Sequence, residues 1–236
     1  MIGRLKAVAF DAPDIKALAA FYGQLTGLKE VDADDDWITL AGPSGPQVAF
    51  QLAPDHVPPR WPDQAHPQQF HTDWVVGDLQ AEVARAESLG ATRLDGGGET
   101  FVVLADPAGH PFCLCQGGEP GSPVTLADVA IDCPGGKALA AFYAELLGMK
   151  VGYEGPEGAA IGSEDGTVMF QNVADYTAPR WPDPAHPQQA HLDVEVADLD
   201  EGEAKVLALG ATKLDSPHEG WRVFADPAGH PFCLVD

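Results

Sequence analysis

Cations are what this sequence has least of. Lys and Arg total 13 against 36 Asp and Glu in 236 residues, a formal charge of -23. A surface of that sign repels phosphate backbones, which excludes a nucleic-acid partner. Cysteines are few as well, only Cys113, Cys115, Cys133 and Cys233, and the opening residues contain no apolar stretch of signal-peptide length. A disulfide framework is therefore excluded, and reduced thiols in a cytoplasmic protein are expected. No segment approaches the ~18 uninterrupted apolar residues of a membrane helix, so no membrane partner is expected either. GxGxxG, P-loop and HExxH motifs are missing, leaving nucleotide and metalloprotease readings without support.

What is present is a turn-rich globular composition, 45% hydrophobic with 26 Gly and 21 Pro. At roughly 100 to 150 residues per domain the length suggests two domains. An internal repeat sharpens that estimate. KALAAFY at 16–22 returns at 137–143, PRWPDQAHPQQFH at 59–71 returns as PRWPDPAHPQQAH at 179–191, and ADPAGHPFCL at 105–114 returns unchanged at 225–234. The copies divide into a domain over 1–117, a Gly/Pro-containing linker over 118–122 and a domain over 123–236.

Within a half, a strand before Asp11 is followed by an amphipathic helix whose Leu18, Phe21, Tyr22 and Leu25 share a face and which stops at Gly27. Strand-like runs follow at WITLAG and QVAFQLA. HTDWVV then reads as a strand, DLQAEVARAESLG as a second helix, and ATRLD, TFVVLAD and FCLC as strands. DPAG between the last two suits a type I turn, with His110 and His230 as turn or strand residues. Each half is thus two βαβββ modules.

These residues resemble the vicinal oxygen chelate superfamily, which includes glyoxalases, extradiol dioxygenases, fosfomycin-modifying enzymes and bleomycin-binding resistance proteins. The resemblance rests on the helix ending FYxxLLGM, on HxDxxVxDL at His191 to Leu199 and on the terminal DPAGHPFCL. The PRWPD-HPQQ loop and HPFC ending are most similar to a glyoxalase-like subgroup. It implies an α+β fold of tandem domains, each of two βαβββ modules whose curved mixed sheets enclose a cavity. The superfamily's metal ligands would fall on Ala7 and Asp128, on His71 and His191, on Cys113 and Cys233 in place of the usual Glu, and near Gln51 and Gln171.

Grouped by half, Ala7, Gln51, His71 and Cys113 imply no catalytic metal in the first, while Asp128, His191 and Cys233 offer one O, one N and one S donor in the second. A divalent Zn, Fe, Mn or Ni ion is conceivable there, though no cofactor is the first expectation. Buried structural thiols are the competing reading of both cysteines.

Strand alternation places His191, Asp193 and Glu195 on one face and Leu192, Val194 and Val196 on the other, and groups Asp128, Ala130 and Asp132. A carboxylate beside His191 would suit a general base, whereas a merely solvated sheet face gives the same pattern. His71, Asp73 and Val75 form the corresponding, less polar set. In the repeated loop Arg60, Trp61, Arg180 and Trp181, with Asp63, His66, Gln68, Gln69 and their counterparts, would suit an aromatic or carboxylated ligand. The same residues could instead stiffen the crossover between modules.

Two functions follow. One is a metal-independent small-molecule binder of the resistance or sequestration type. The other is a lyase, isomerase or dioxygenase-type enzyme centred on His191 with Asp128 or Glu195, His71 being the first-half counterpart. The expected partner is a small molecule, and the expected assembly a pseudo-dimeric monomer or a homodimer.

Overall fold

The computed structural model describes residues 1–63, 66–164, 166–183, 186–214 and 219–236. Four βαβββ modules follow one another. The first holds β1 (Arg4–Ala12), α1 (Ile15–Thr26), β2 (Lys29–Ala33), β3 (Trp37–Ala41) and β4 (Gln47–Leu52). The second holds β5 (Phe70–Val76), α2 (Leu79–Leu89), β6 (Thr92–Arg93), β7 (Phe101–Ala105) and β8 (Pro111–Gln116). β9 (Thr125–Cys133), α3 (Gly136–Leu147), β10 (Lys150–Gly155), β11 (Gly158–Ser163) and β12 (Gly166–Asn172) make the third. β13 (Ala190–Glu195), α4 (Leu199–Leu209), β14 (Thr212–Lys213), β15 (Trp221–Ala225) and β16 (Pro231–Val235) complete the fourth. Among the described residues no helix is long and apolar enough to cross a membrane.

Local chemistry sets the helix ends. Asp14, Asp78 and Asp198 cap α1, α2 and α4 by accepting from the backbone N–H three residues on, at 2.9, 3.0 and 2.8 Å. Gly27, Gly90, Gly148 and Gly210 close the four helices in the left-handed region, which a Cβ would disfavour. α3 starts differently. Gly135 has no side chain to cap with, and Asn172 of β12 accepts from Gly136 N–H at 2.7 Å instead. β2 answers to no sequence pattern because all five of its residues are exposed, so no face is marked by alternation.

The modules combine into two curved, mixed eight-stranded sheets, and each sheet takes one module from either half. The first sheet runs β14-β15-β16-β13-β1-β4-β3-β2, and the second β10-β11-β12-β9-β5-β8-β7-β6. Antiparallel pairing at the centre joins the halves: β1 lies on β13 with Ala7 opposite Asp193 and Ala9 opposite His191, and β5 lies on β9 with Asp73 opposite Asp128.

Between the sheets the helices bury one continuous apolar core in which Tyr22, Phe10, Phe50, Trp74 and Phe112 pack in one half and Tyr143, Phe170, Phe224 and Phe232 in the other. The repeated DPAGH turn anchors this core. Asp106 accepts from Ala108 N–H, His110 N–H and the Tyr22 hydroxyl at 2.8, 3.0 and 3.1 Å, and Asp226 repeats the set with Ala228, His230 and Tyr143. His110 and His230 are therefore buried turn residues, as their position in the motif suggests.

The HPQQ segments clasp one another across the halves. Gln69 N–H donates to Gln189 Oε1 at 3.0 Å and Gln189 N–H to Gln69 Oε1 at 2.9 Å, while each side-chain amide donates to the other loop's Pro187 or Pro67 carbonyl at 2.9 Å. Their backbone carbonyls accept from Asp132 N–H and Asp11 N–H, at 3.0 Å each, tying the clasp to β9 and β1. All of this is buried, so removing one partner strands the others' polar groups. Gln69→Ala or Gln189→Ala alone is expected to lower stability by about 2 to 3 kcal/mol. Gln69→Ala breaks the bonds to Gln189 N–H and the Pro187 carbonyl, and Gln189→Ala those to Gln69 N–H and the Pro67 carbonyl, so urea denaturation should show the double variant losing more than either single one.

Candidate functional site

A cavity of about 880 Å³ opens on the first sheet. Alternation builds its lining. Leu192 and Val194 of β13 face the core with no exposure, which turns His191 and Asp193 to the other side, where Cys233 of β16 sits in register with Asp193. Ala7 of β1, Gln47 and Gln51 of β4 and Trp37 of β3 complete the floor. Trp181 from the repeated loop and Trp221 from β15 supply further aromatic walls, and Asp32, Asp34 and Asp36 stand at the rim with Lys6 as the lining cation. Trp37 packs on the small patch of Ala7, Ala9 and Ala49, its indole N–H donating to Thr39 Oγ1 at 2.8 Å and its ring 6.1 Å from that of His191.

His191, Asp193 and Cys233 bring their nitrogen, oxygen and sulfur within 4.8 Å of one another, and His71, Asp73 and Cys113 do the same on the second sheet. The two sets differ in their surroundings. In the second sheet Asp128 lies opposite Asp73; in the first, Ala7 occupies the equivalent place opposite Asp193. The electrostatic outcome differs accordingly. His71 is pushed below the usual imidazole range by burial, which Asp73 offsets only in part, and Cys113 is driven far up by burial with Asp73 and Asp128 adding to it. For His191 burial also opposes the charge, yet Cys233 and Asp193 beside it together outweigh burial and hold the imidazole well above its usual range. Asp128 is pushed up to about 7 by burial and by Asp73.

The grouping expected from sequence is corrected here. Asp128, His191 and Cys233 do not form one donor set, because Asp128 belongs to the second sheet while the other two belong to the first. For the same reason Asp128 is no acid–base partner of His191. The sets by half dissolve likewise. Ala7 and Gln51 line the cavity of His191 and Cys233, while His71, Cys113 and Asp128 gather on the second sheet.

Glu195, the other proposed partner of His191, is drawn to the end of its strand by Arg4 and Lys6. Gln171 donates to Asp132 Oδ1 at 3.1 Å. In the loops Trp61 donates to the Asp95 carbonyl at 2.8 Å, Arg60 is exposed, Arg180 lies 2.6 Å from His186 Nε2, and Gln69 and Gln189 are spent on the clasp. Of the loop residues singled out from sequence, Trp181 and Gln188 line the cavity. Trp37 and Trp221 went unselected by the sequence reading. Their signal was available as large aromatic residues opening short strands.

The arrangement of strands and modules is that of the vicinal oxygen chelate fold. The chain belongs to the glyoxalase-like domain family, whose model matches residues 7–115 and 128–235. Glyoxalase I from Zea mays is similar in fold, at 20% identity and a TM-score of 0.68 over 99% of this chain and 92% of that one. A point mutant of that enzyme gives 18% identity, a TM-score of 0.69 and coverage of 99% and 92%. A glyoxalase/bleomycin resistance protein/dioxygenase family enzyme from Burkholderia phytofirmans PsJN matches 48% of this chain with 98% of its own, at 19% identity and a TM-score of 0.40. No curated protein matches.

Divalent metals occur in this fold superfamily, and the two sets answer that possibility differently. In the second sheet Asp73 Oδ1 and Asp128 Oδ1 are buried without a hydrogen-bond partner, and Asp73 with His71 and Cys113 makes an O, N, S set, within 4.8 Å of one another, that zinc accepts. In the first sheet Ala7 removes the fourth donor, and none of the polar atoms of His191, Asp193 and Cys233 is orphaned in this way. Each sheet thus offers one N, one O and one S donor, and the second adds the buried Asp128 carboxyl nearby.

Behind each polar face a buried carboxyl joins strand to loop. Asp132 accepts from Gln68 at 3.2 Å and is pushed up to about 7 by burial, with Gln68 and His230 opposing. A carboxyl raised in the folded state holds its proton there after the unfolded chain has lost it, so its contribution to stability falls as pH rises. The unfolding free energy of the wild type minus that of Asp132→Asn should therefore decline between about pH 4 and pH 7 and flatten above. Guanidinium titrations across that range measure it.

Proposed function

We propose that the protein binds a planar, uncharged or cationic aromatic small molecule in the cavity of the first sheet. The observation that carries this reading is the cavity itself, whose volume suits a ligand of drug size and whose walls include Trp37, Trp181 and Trp221. Indole faces offer stacking to a planar ring, and amides from Gln47, Gln51 and Gln188 offer hydrogen bonds to its substituents. Asp32, Asp34 and Asp36 disfavour an anion. Residues 1–117 and 123–236 take the part of two subunits, so the chain functions as a pseudo-dimeric monomer.

Tryptophan fluorescence tests this directly. Benzylacetone, an uncharged aromatic ketone, should quench saturably and benzoate should not. Trp181→Ala should weaken benzylacetone binding by about tenfold, or ~1.4 kcal/mol. Equal binding of benzoate, or binding indifferent to Trp181, would remove the support for this site.

A second reading concerns the second sheet and rests on its orphaned Asp73 and Asp128 oxygens. His71, Asp73, Cys113 and Asp128 would hold a divalent cation, which there would supply Lewis-acid polarisation of a bound oxygen. Elemental analysis after exposure to Zn(II) should find one equivalent per chain in the wild type and none in Asp128→Ala, with no loss in His191→Ala.

A further inference from the structure

We propose that Cys233 is a nucleophilic thiol and that the cavity captures aromatic α,β-unsaturated ketones covalently, with His191 as the proton carrier. The inference rests on the reading of the first-sheet cavity as a small-molecule site and adds a reaction to it.

The geometry groups a cavity-facing thiol with an imidazole and a carboxylate. Cys233 lines the cavity with its sulfur within 4.8 Å of His191 nitrogen and Asp193 oxygen, and His191 lies 3.5 Å from Asp193 through Nε2. Gln188 Nε2 stands 3.4 Å from Nδ1 on the opposite edge of the ring, so the imidazole is held from both sides. Thiol and imidazole are the parts a cysteine nucleophile needs, and Asp193 beside Nε2 stabilises the imidazolium that forms. Beside the pair, β1 presents Ala7, whereas the homologous cysteine on the second sheet faces both Asp73 and Asp128. A second carboxylate opposes thiolate formation, and only the first sheet is spared one. The other thiols are held back: burial raises Cys115 to about 12 and Cys133 to about 11, and Cys113 higher still. The groups facing His191 are Asp193 of β13, Cys233 of β16 and Asp11 of β1.

The substrate class follows from the lining. A thiolate is a soft nucleophile suited to a conjugated carbon, and indole walls favour a flat conjugated molecule. His191 first takes the Cys233 proton. The sulfur then bonds to the β carbon as the carbon–carbon π bond breaks, its electron pair passing to the α carbon. That carbon takes the proton back from His191, leaving neutral imidazole and a saturated ketone joined to Cys233 as a thioether. The step is an addition and needs no oxidant, reductant or leaving group.

Benzylideneacetone is the probe, with its saturated analogue benzylacetone as the non-reactive control. Intact-mass and peptide mass spectrometry should find a single adduct per chain, on Cys233, forming about tenfold or more faster than on any other cysteine. His191→Gln should slow the adduct by a similar factor at saturating benzylideneacetone. Ala7→Asp, which restores the second carboxylate without touching thiol or imidazole, should slow it too. Cys233→Ser, checked for folding by circular dichroism, should abolish the adduct. An adduct on Lys6 or on another cysteine, or a rate unchanged in both His191→Gln and Ala7→Asp, overturns the proposal. Benzylacetone binding without any benzylideneacetone adduct also overturns it but leaves the cavity reading standing; loss of both overturns both.

Discussion

The exchange of hydrogen bonds between Gln69 and Gln189 is the constraint from which the rest of the molecule follows. It fixes the two HPQQ segments back to back, and through the Asp11 and Asp132 backbone amides it fixes them against β1 and β9. With the loops held so, β13 lies on β1 and β5 on β9. Every polar group of interest then takes its neighbours from the other half of the chain. A buried set of bonds this concentrated tolerates little loss, since each unmade bond leaves a desolvated amide. Residues that looked like ligand contacts are instead the device that makes a contact surface exist.

The two sheets repeat one plan with different chemistry. His, Asp and Cys recur on the central strands, yet a single opposing residue, Ala7 or Asp128, alters the charge balance around each set. Where Asp128 stands, two carboxylates share a partly buried space and each keeps an oxygen without a hydrogen-bond partner. Where Ala7 stands, thiol, imidazole and carboxylate answer one another, and the methyl group leaves room for a cavity floored by Trp37. Near-identical local sequence thus yields unlike electrostatics because the deciding residue comes from a strand more than 50 positions away in the chain, as His71 and Asp128 do.

The fold was readable from sequence because its signals are local. Helix-stopping glycines, DPAGH turns and strand alternation in HLDVEV all act within a dozen residues, the repeat doubles them, and the modules they mark are those observed. The face shared by His191 and Asp193 was readable for the same reason. Which module meets which was not, because strand pairing between β1 and β13 spans nearly the whole chain and leaves no local trace. Grouping candidate ligands by half therefore joined Asp128 to His191 across two different sheets. Trp37 and Trp221 were passed over on similar grounds, as their value lies in a cavity that forms only once distant strands meet. Glu195 pairs with Arg4 and Lys6 of β1, nearly the whole chain away, and that engagement leaves no local trace either.

Joining the repeats in one chain has a consequence beyond holding them together. Two copies of a single half, paired by symmetry, would possess two identical pockets, and any substitution would strike both at once. Here Ala7 and Asp128 are encoded separately, so one pocket can change while its twin is left alone. The covalent link releases the two sites from a shared fate, and the protein can carry a pair of unlike chemistries on one symmetrical frame.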